Sequence, residues 1–259
     1  MAFVELPDDA RLNYRFDGPA SAPLLVLSNS LGTDLGMWDP QVPAFARRFR
    51  VLRYDTRGHG ASAVTPGPYT IEALARDVVH LLDALEIERA HFCGLSMGGM
   101  TGMWLGVHHA DRVDRLVLCN TGARVGTPEL WKARIEKTQN EGMAAVADGV
   151  IERWLTPAFR EREPEAVQHM RRMIEATAPA GYAACCAAIR DMDQRDTVSR
   201  IRAPTLVIAG THDPATPAAD GRFLAERIAG AQYVELPASH LSNIEQPEPF
   251  TDAVLRFLS

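Results

Sequence analysis

Arg89-Ala90-His91-Phe92-Cys93-Gly94-Leu95-Ser96-Met97-Gly98-Gly99-Met100 decides how this chain is read. A strand-like run from Arg89 to Cys93 empties, through Gly94-Leu95-Ser96-Met97-Gly98, into a helix-like run from Met97 to His109. The serine has glycine two residues away on each side. At a sharp strand-to-helix turn a side chain at either glycine would collide with neighbouring backbone, so hydrogen is favoured there. The strain lifts the serine Oγ above the sheet, and the start of the helix faces any negative charge formed beside it. An ordinary glycine-rich turn could share this text. What separates the two readings is whether a base and an acid follow in suitable places.

Working outward, Leu24-Leu25-Val26-Leu27-Ser28 and Phe49–Tyr54 are continuous apolar runs of the kind found in strands buried on both faces. Phe3–Leu6 and Leu12–Asp17, around Asp8-Asp9, predict an N-terminal hairpin. Ile71, Leu74, Val78, Leu81, Leu82 and Leu85 recur at helical spacing, and Val113–Cys119 is the strand after the serine helix. Strands alternating with helices imply a mostly parallel α/β sheet flanked by helices. The alternation stops at Asn120. From 123 to 200 there are helical patterns and no convincing strand. Thr205–Gly210 resumes the buried-strand pattern, followed by a helix near Pro217–Ile228, a strand at Gln232–Leu236 and a helix at Pro249–Leu258. The expected organisation is a core of 1–122 and 201–259 with a helical cap of 123–200. Insertions at the carboxyl edge of a parallel sheet lie over the ligand site.

The 259 residues suit one large domain, and 46% apolar with 23% charged residues is a globular composition. A net charge of −6 without Lys/Arg blocks gives no nucleic-acid surface. No apolar stretch approaches a membrane span, and the N-terminal residues lack the basic and apolar regions of a signal peptide. Cys93, Cys119, Cys185 and Cys186 have the spacing of neither a disulfide framework nor a zinc site. A reduced, cytoplasmic protein is expected.

A serine hydroxyl is a poor nucleophile until a base takes its proton. The base is usually histidine, held by a carboxylate that stabilises the imidazolium. Asp213 follows the strand Thr205–Gly210 and His240 follows Gln232–Leu236, both in loops opening on the same sheet edge as Ser96. Ser96, Asp213 and His240 are therefore the candidate nucleophile, acid and base. His212 is the competing histidine, but adjacency to Asp213 makes it a poor geometric match. His59, in Arg57-Gly58-His59-Gly60, is expected to be structural. The oxyanion of an acyl-transfer intermediate needs aimed donors. The backbone N–H of Met97 supplies one, and by position Leu31, in the loop after Leu24–Ser28, supplies the second. Trp38 follows closely, as a pocket wall or as core packing.

The sequence resembles the α/β-hydrolase superfamily over nearly its full length. The likeness is carried by Tyr54-Asp55-Thr56-Arg57-Gly58-His59-Gly60-Ala61-Ser62, Gly94-Leu95-Ser96-Met97-Gly98-Gly99, Gly210-Thr211-His212-Asp213 and His240-Leu241-Ser242-Asn243-Ile244-Glu245-Gln246-Pro247. More narrowly it is similar to bacterial 3-oxoadipate enol-lactonases, through Leu27-Ser28-Asn29-Ser30-Leu31-Gly32, Cys93 to Met100, and Cys119-Asn120-Thr121. Asn29-Ser30 stands where superfamily members commonly carry His-Gly, a departure that suits the lactonases. The resemblance implies hydrolysis of a small-molecule lactone bearing a carboxylate, in aromatic-compound catabolism, without metal or cofactor. The alternatives are another ester or C–C bond hydrolase, a cofactor-free haloperoxidase, or a non-catalytic receptor, which a broken triad would mark. A lactone carboxylate calls for a cation in the cap. Arg134, three residues after Trp131 and so on the same helix face, is the first candidate and Arg190 the second, with Trp131 and Trp154 enclosing the ring.

Overall fold

Residues 2–259 are described by a computed structural model. Their core is an eight-stranded sheet built from β1 (Ala2–Glu5), β2 (Arg11–Asp17), β3 (Leu24–Ser28), β4 (Arg50–Tyr54), β5 (Ala90–Leu95), β6 (Val113–Cys119), β7 (Thr205–Gly210) and β8 (Gln232–Leu236), in the order β1-β2-β4-β3-β5-β6-β7-β8. β1 and β2, and β2 and β4, pair antiparallel; every other pair is parallel. The continuous apolar runs fall at the centre. All six residues of β5 and of β7 are buried, as expected where helices cover both sheet faces. β5 runs to Leu95, two residues past the expected end at Cys93, because Leu95 still pairs with Cys119 of β6.

The helices are α1 (Val42–Phe45), α2 (Ile71–Ala84), α3 (Met97–His108), α4 (Pro128–Glu141), α5 (Met143–Trp154), α6 (Pro157–Arg162), α7 (Pro164–Ala176), α8 (Pro179–Asp191), α9 (Ala218–Arg227), α10 (Ser242–Glu245) and α11 (Pro247–Leu258). The last begins at Pro247 rather than Pro249, since a proline at the first helical position is already set at the helical φ. α4 to α8 form an all-helical insert between β6 and β7. Two of its helices, α4 and α6, start on side-chain caps: Thr127 Oγ1 accepts from Leu130 N and Thr156 Oγ1 from Phe159 N, each followed by proline. None of the described helices is long and apolar enough to cross a membrane.

α3 lies close against the sheet, and the serine turn depends on that approach. A Cβ on Gly98 would sit 2.2 Å from the Ser28 carbonyl oxygen of β3, and one on Gly94 would sit 2.2 Å from the Gly98 carbonyl oxygen. Gly94→Ala is expected to cost about 1–3 kcal/mol through this overlap, lowering the melting midpoint by about 2–4 °C per kcal/mol. Gly149→Ala is the control: it lies inside α5 with its nearest neighbour, Arg153 Nη1, 3.8 Å from the added methyl, and its midpoint should hold or rise. Thermal melts of both variants decide; equal losses would contradict the close-approach account.

Candidate active site

Ser96 carries φ 57° and ψ −114°, a left-handed backbone that L-residues rarely adopt. The turn is pinned from three sides. Ser96 N donates to Cys119 O (2.8 Å), Gly98 N to Asn29 O (3.0 Å), and Thr121 Oγ1 to Ser96 O (2.8 Å). Ser96 thereby projects from the carboxyl end of β5 while α3 begins behind it. The Met97 N–H, in the first turn of α3, and the Leu31 N–H make no hydrogen bond among the described residues. Both are free donors, and Leu31 lines the same cavity as Ser96.

Asp213 and His240 come together from the loops after β7 and β8. His240 Nδ1 lies 2.8 Å from Asp213 Oδ2. A carboxylate only accepts, so this nitrogen carries the proton and Nε2 is left as the unprotonated, basic nitrogen. The carboxylate is further fixed by Asn120 Nδ2 (3.0 Å) and Thr216 Oγ1 (2.8 Å) on Oδ2, and by the backbone N–H groups of Ala215 (2.8 Å) and Thr216 (3.0 Å) on Oδ1. Burial pushes the Asp213 carboxyl up, but His240 and this ring of donors outweigh it, and the group is held below its ordinary value. Asp213 is therefore ionised wherever the protein is folded near neutrality. Ser96 and His240 line one cavity of about 410 Å³, together with Ser30 and Leu31. No Ser96–His240 hydrogen bond is formed among the described residues; in unliganded sites such contacts are commonly open and tighten around substrate.

The insert supplies the opposite wall. Trp131, Trp154, Arg134, Arg153, Lys137 and Tyr182 line the same cavity. Trp131 is fixed by its indole N–H donating to Val125 O (2.7 Å), and the Arg134 guanidinium lies 4.8 Å from its ring centre. Neither Arg134 nor Arg153 pairs with a carboxylate among the described residues. Burial, and then the neighbouring Arg134 charge, hold the Arg153 guanidinium below its ordinary value. Two half-buried guanidiniums without a counter-ion make this wall a place for an anion.

Two expectations for the substrate side are corrected. Trp38 does not line the cavity. It is fully buried, its indole N–H donates to Asn29 Oδ1 (2.9 Å), and its ring packs on Phe250. Arg190 lies outside the cavity wall, gripping the adjacent Asp191 with two 2.7 Å bonds. Three contributors carry no signal in the sequence, Thr216 and Asn120 as clamps on Asp213 and Glu245, while Arg153 is one of several cap arginines that the sequence does not single out. Asn120, at φ 42°, also donates to Ser239 O and accepts from Ser242 Oγ (2.5 Å), so one amide ties the acid loop to the histidine loop. His212 is exposed and takes no part. His59 is structural in a specific way: its Nε2 accepts the Gly32 N–H (2.9 Å) and so braces the loop that carries Leu31.

Residues 23–153 match the family described as alpha/beta hydrolase fold, and residues 172–258 match a family described as TAP-like protein. The 3-oxoadipate enol-lactonase 2 of Acinetobacter baylyi is 45% identical over 95% of this chain and 92% of its own. The crystal structure of the enol-lactonase from Burkholderia xenovorans LB400 is 53% identical, with a TM-score of 0.98 over 99% of each chain. A thermophilic esterase from Thermogutta terrifontis, solved with malate bound, is 31% identical, with a TM-score of 0.92 over 99% of this chain and 97% of that one.

Burial drives the His59 imidazole down to about 4, against the Arg57 carbonyl that favours its proton. The folded state then binds fewer protons than the unfolded chain between about pH 4 and the ordinary histidine value. Stability is complete above that window and is lost as pH falls through it, by about 1.4 kcal/mol per pH unit. Urea melts at stepped pH should show this acid loss in the wild type and a shallower one in His59→Gln, which keeps an acceptor for Gly32 N–H. Identical slopes would contradict the assignment.

Proposed function

The chain belongs to the α/β-hydrolase fold family, and from that premise we propose that it is a serine hydrolase opening 3-oxoadipate enol-lactone to 3-oxoadipate, a carboxylic ester hydrolysis in aromatic-compound catabolism. The observation that carries the reading is the shared cavity: Ser96 and His240 face two unpaired guanidiniums, Arg134 and Arg153, across about 410 Å³. That space suits a small lactone bearing one carboxylate. The 45% identity to a 3-oxoadipate enol-lactonase and the 53% identity to an enol-lactonase structure support the same substrate. The helical insert, residues 123–200, serves as a cap over the core.

Ser96 Oγ attacks the lactone carbonyl while His240 Nε2 takes its proton, and Asp213 stabilises the imidazolium. The oxyanion is held by the Leu31 and Met97 N–H groups; a single such donor contributes about 3 kcal/mol to transition-state stabilisation. Collapse of the intermediate breaks the ring C–O bond. The leaving group is an enolate, a better one than a simple alkoxide because its charge spreads onto carbon. His240 protonates it, and the enol tautomerises to the ketone. A water, deprotonated by His240, then attacks the acyl-serine and releases the second carboxylate. Side chains, backbone amides and water carry every step. Four free, buried thiols, Cys93 and Cys119 with Sγ atoms 3.9 Å apart among them, fit a reducing compartment such as the cytoplasm.

Arg134, over the Trp131 ring, is assigned to the lactone carboxylate with Arg153 beside it, and Trp131 and Trp154 enclose the ring. A charge-assisted contact in such a cavity contributes about 1.5–3 kcal/mol. Arg134→Met and Arg153→Met should therefore each lower kcat/KM on the enol-lactone by roughly tenfold to a hundredfold, and leave a neutral p-nitrophenyl ester nearly unchanged. Arg190→Met should change neither. Equal losses on both substrates would make the arginines structural, and a wild-type enzyme that prefers the neutral ester would overturn the lactonase reading.

A further inference from the structure

The last turn of a helix leaves carbonyls without intrahelical partners, and buried ones must find donors elsewhere. At the end of α5 those carbonyls belong to Arg153 and Trp154, the residues that line the cavity, and their donors come from the His240 loop. Ser239 Oγ donates to Arg153 O (2.7 Å) and Leu241 N donates to Trp154 O (3.0 Å). Returning the connection, Glu245 reaches out of α10 with a buried carboxylate. Its Oε1 accepts from Thr156 N (2.9 Å) and from Ser239 N (3.0 Å), and its Oε2 accepts from Thr156 Oγ1 (2.7 Å). No cation pairs with it among the described residues, so these three donors are what holds the carboxylate in place.

Four hydrogen bonds thus join residues 153–156 of the insert to residues 239–245 of the core, across about ninety positions of sequence, and a fifth, Ser239 N to Glu245 Oε1, ties the core side to itself. The residue on one side of the joint is Arg153, and on the other it is His240. We propose that Glu245 is a positioning residue that locks the His240 loop to the Arg153–Thr156 turn, so that the anion-holding wall and the base keep one fixed spacing. Glu245 touches neither substrate nor the reacting atoms. It acts because one carboxylate oxygen accepts from both Ser239 N, next to the histidine, and Thr156 N, just past the α5 end, while the other accepts from Thr156 Oγ1. This rests on the reading of His240 as the base and Arg153 as a carboxylate contact.

The test is steady-state kinetics of Glu245→Ala, Glu245→Gln and Ser239→Ala on enol-lactone and on a neutral p-nitrophenyl ester, with thermal melts of each and with His240→Ala alongside. Glu245→Ala should lower kcat on the lactone by about tenfold to a hundredfold, the scale set by a small misplacement of a catalytic group. Its lactone-to-ester preference should fall as well, since Arg153 loses its anchor together with His240. Glu245→Gln keeps one acceptor oxygen and should recover most of both. Ser239→Ala removes the 2.7 Å bond to Arg153 O, with a long 3.4 Å contact to His212 O, and should weaken the preference while sparing ester turnover, which keeps the proposal testable if Glu245→Ala fails to fold. A folded Glu245→Ala with wild-type kcat, or losses equal on both substrates in Glu245→Ala and Ser239→Ala, would overturn the proposal. An active His240→Ala would instead overturn the assignment of the base on which it rests.

Discussion

A serine backbone at φ 57° costs about 1–3 kcal/mol relative to relaxed conformations and survives only where its surroundings over-determine it. Around Ser96 that determination comes from the two strands that flank β5. Asn29, just past β3, supplies the carbonyl for Gly98 N, β6 supplies the Cys119 carbonyl for Ser96 N, and Thr121, just past β6, grips Ser96 O. Three hydrogen bonds at about 1 kcal/mol each match the strain. The rest follows from that geometry. The two glycines are required by the 2.2 Å approaches behind the turn, and α3 must start where it does.

The acid and base are fixed by a different means, a polar network rather than backbone strain. Asp213 is buried enough that desolvation alone would favour its neutral form, yet four donors besides His240 converge on its two oxygens. Hydrogen bonds to a charged group contribute about 1.5–3 kcal/mol each, which together exceed the desolvation cost. The imidazole is thereby set in one tautomer before substrate arrives. Asn120 extends the network to Ser239 and Ser242 on either side of His240, and Glu245 extends it again to the end of α5. The site is held by connections running sideways across loop ends, while the sheet below provides the common edge.

Much of this was legible in the sequence because it is written in local pattern. Leu24–Ser28 and Thr205–Gly210 read as strands at the bounds they adopt, since burial on both faces selects uninterrupted apolar runs, and the less buried Val113–Cys119 and Gln232–Leu236 also keep their expected bounds. Asp213 and His240 stood out because each immediately follows such a strand. What stayed hidden depends on partners distant in sequence. Trp38 is polar-anchored to Asn29 and packed on Phe250, over two hundred residues away, and its closeness to the Leu31 loop gave no hint of that. Arg153 and Arg134 face each other from separate helices, and Glu245 meets Thr156 across the core–insert boundary. Arg190 carried a local signal that does decide it: the adjacent Asp191 is its ion-pair partner.

The account stands on Ser96 Oγ as the attacking atom, and the most direct measurement is enol-lactone turnover by Ser96→Ala, whose fold the glycine contacts leave intact. Loss of kcat by about a thousandfold or more, with a melting midpoint near that of the wild type, is the expected result. Turnover within a few-fold of wild type by the folded variant would contradict it.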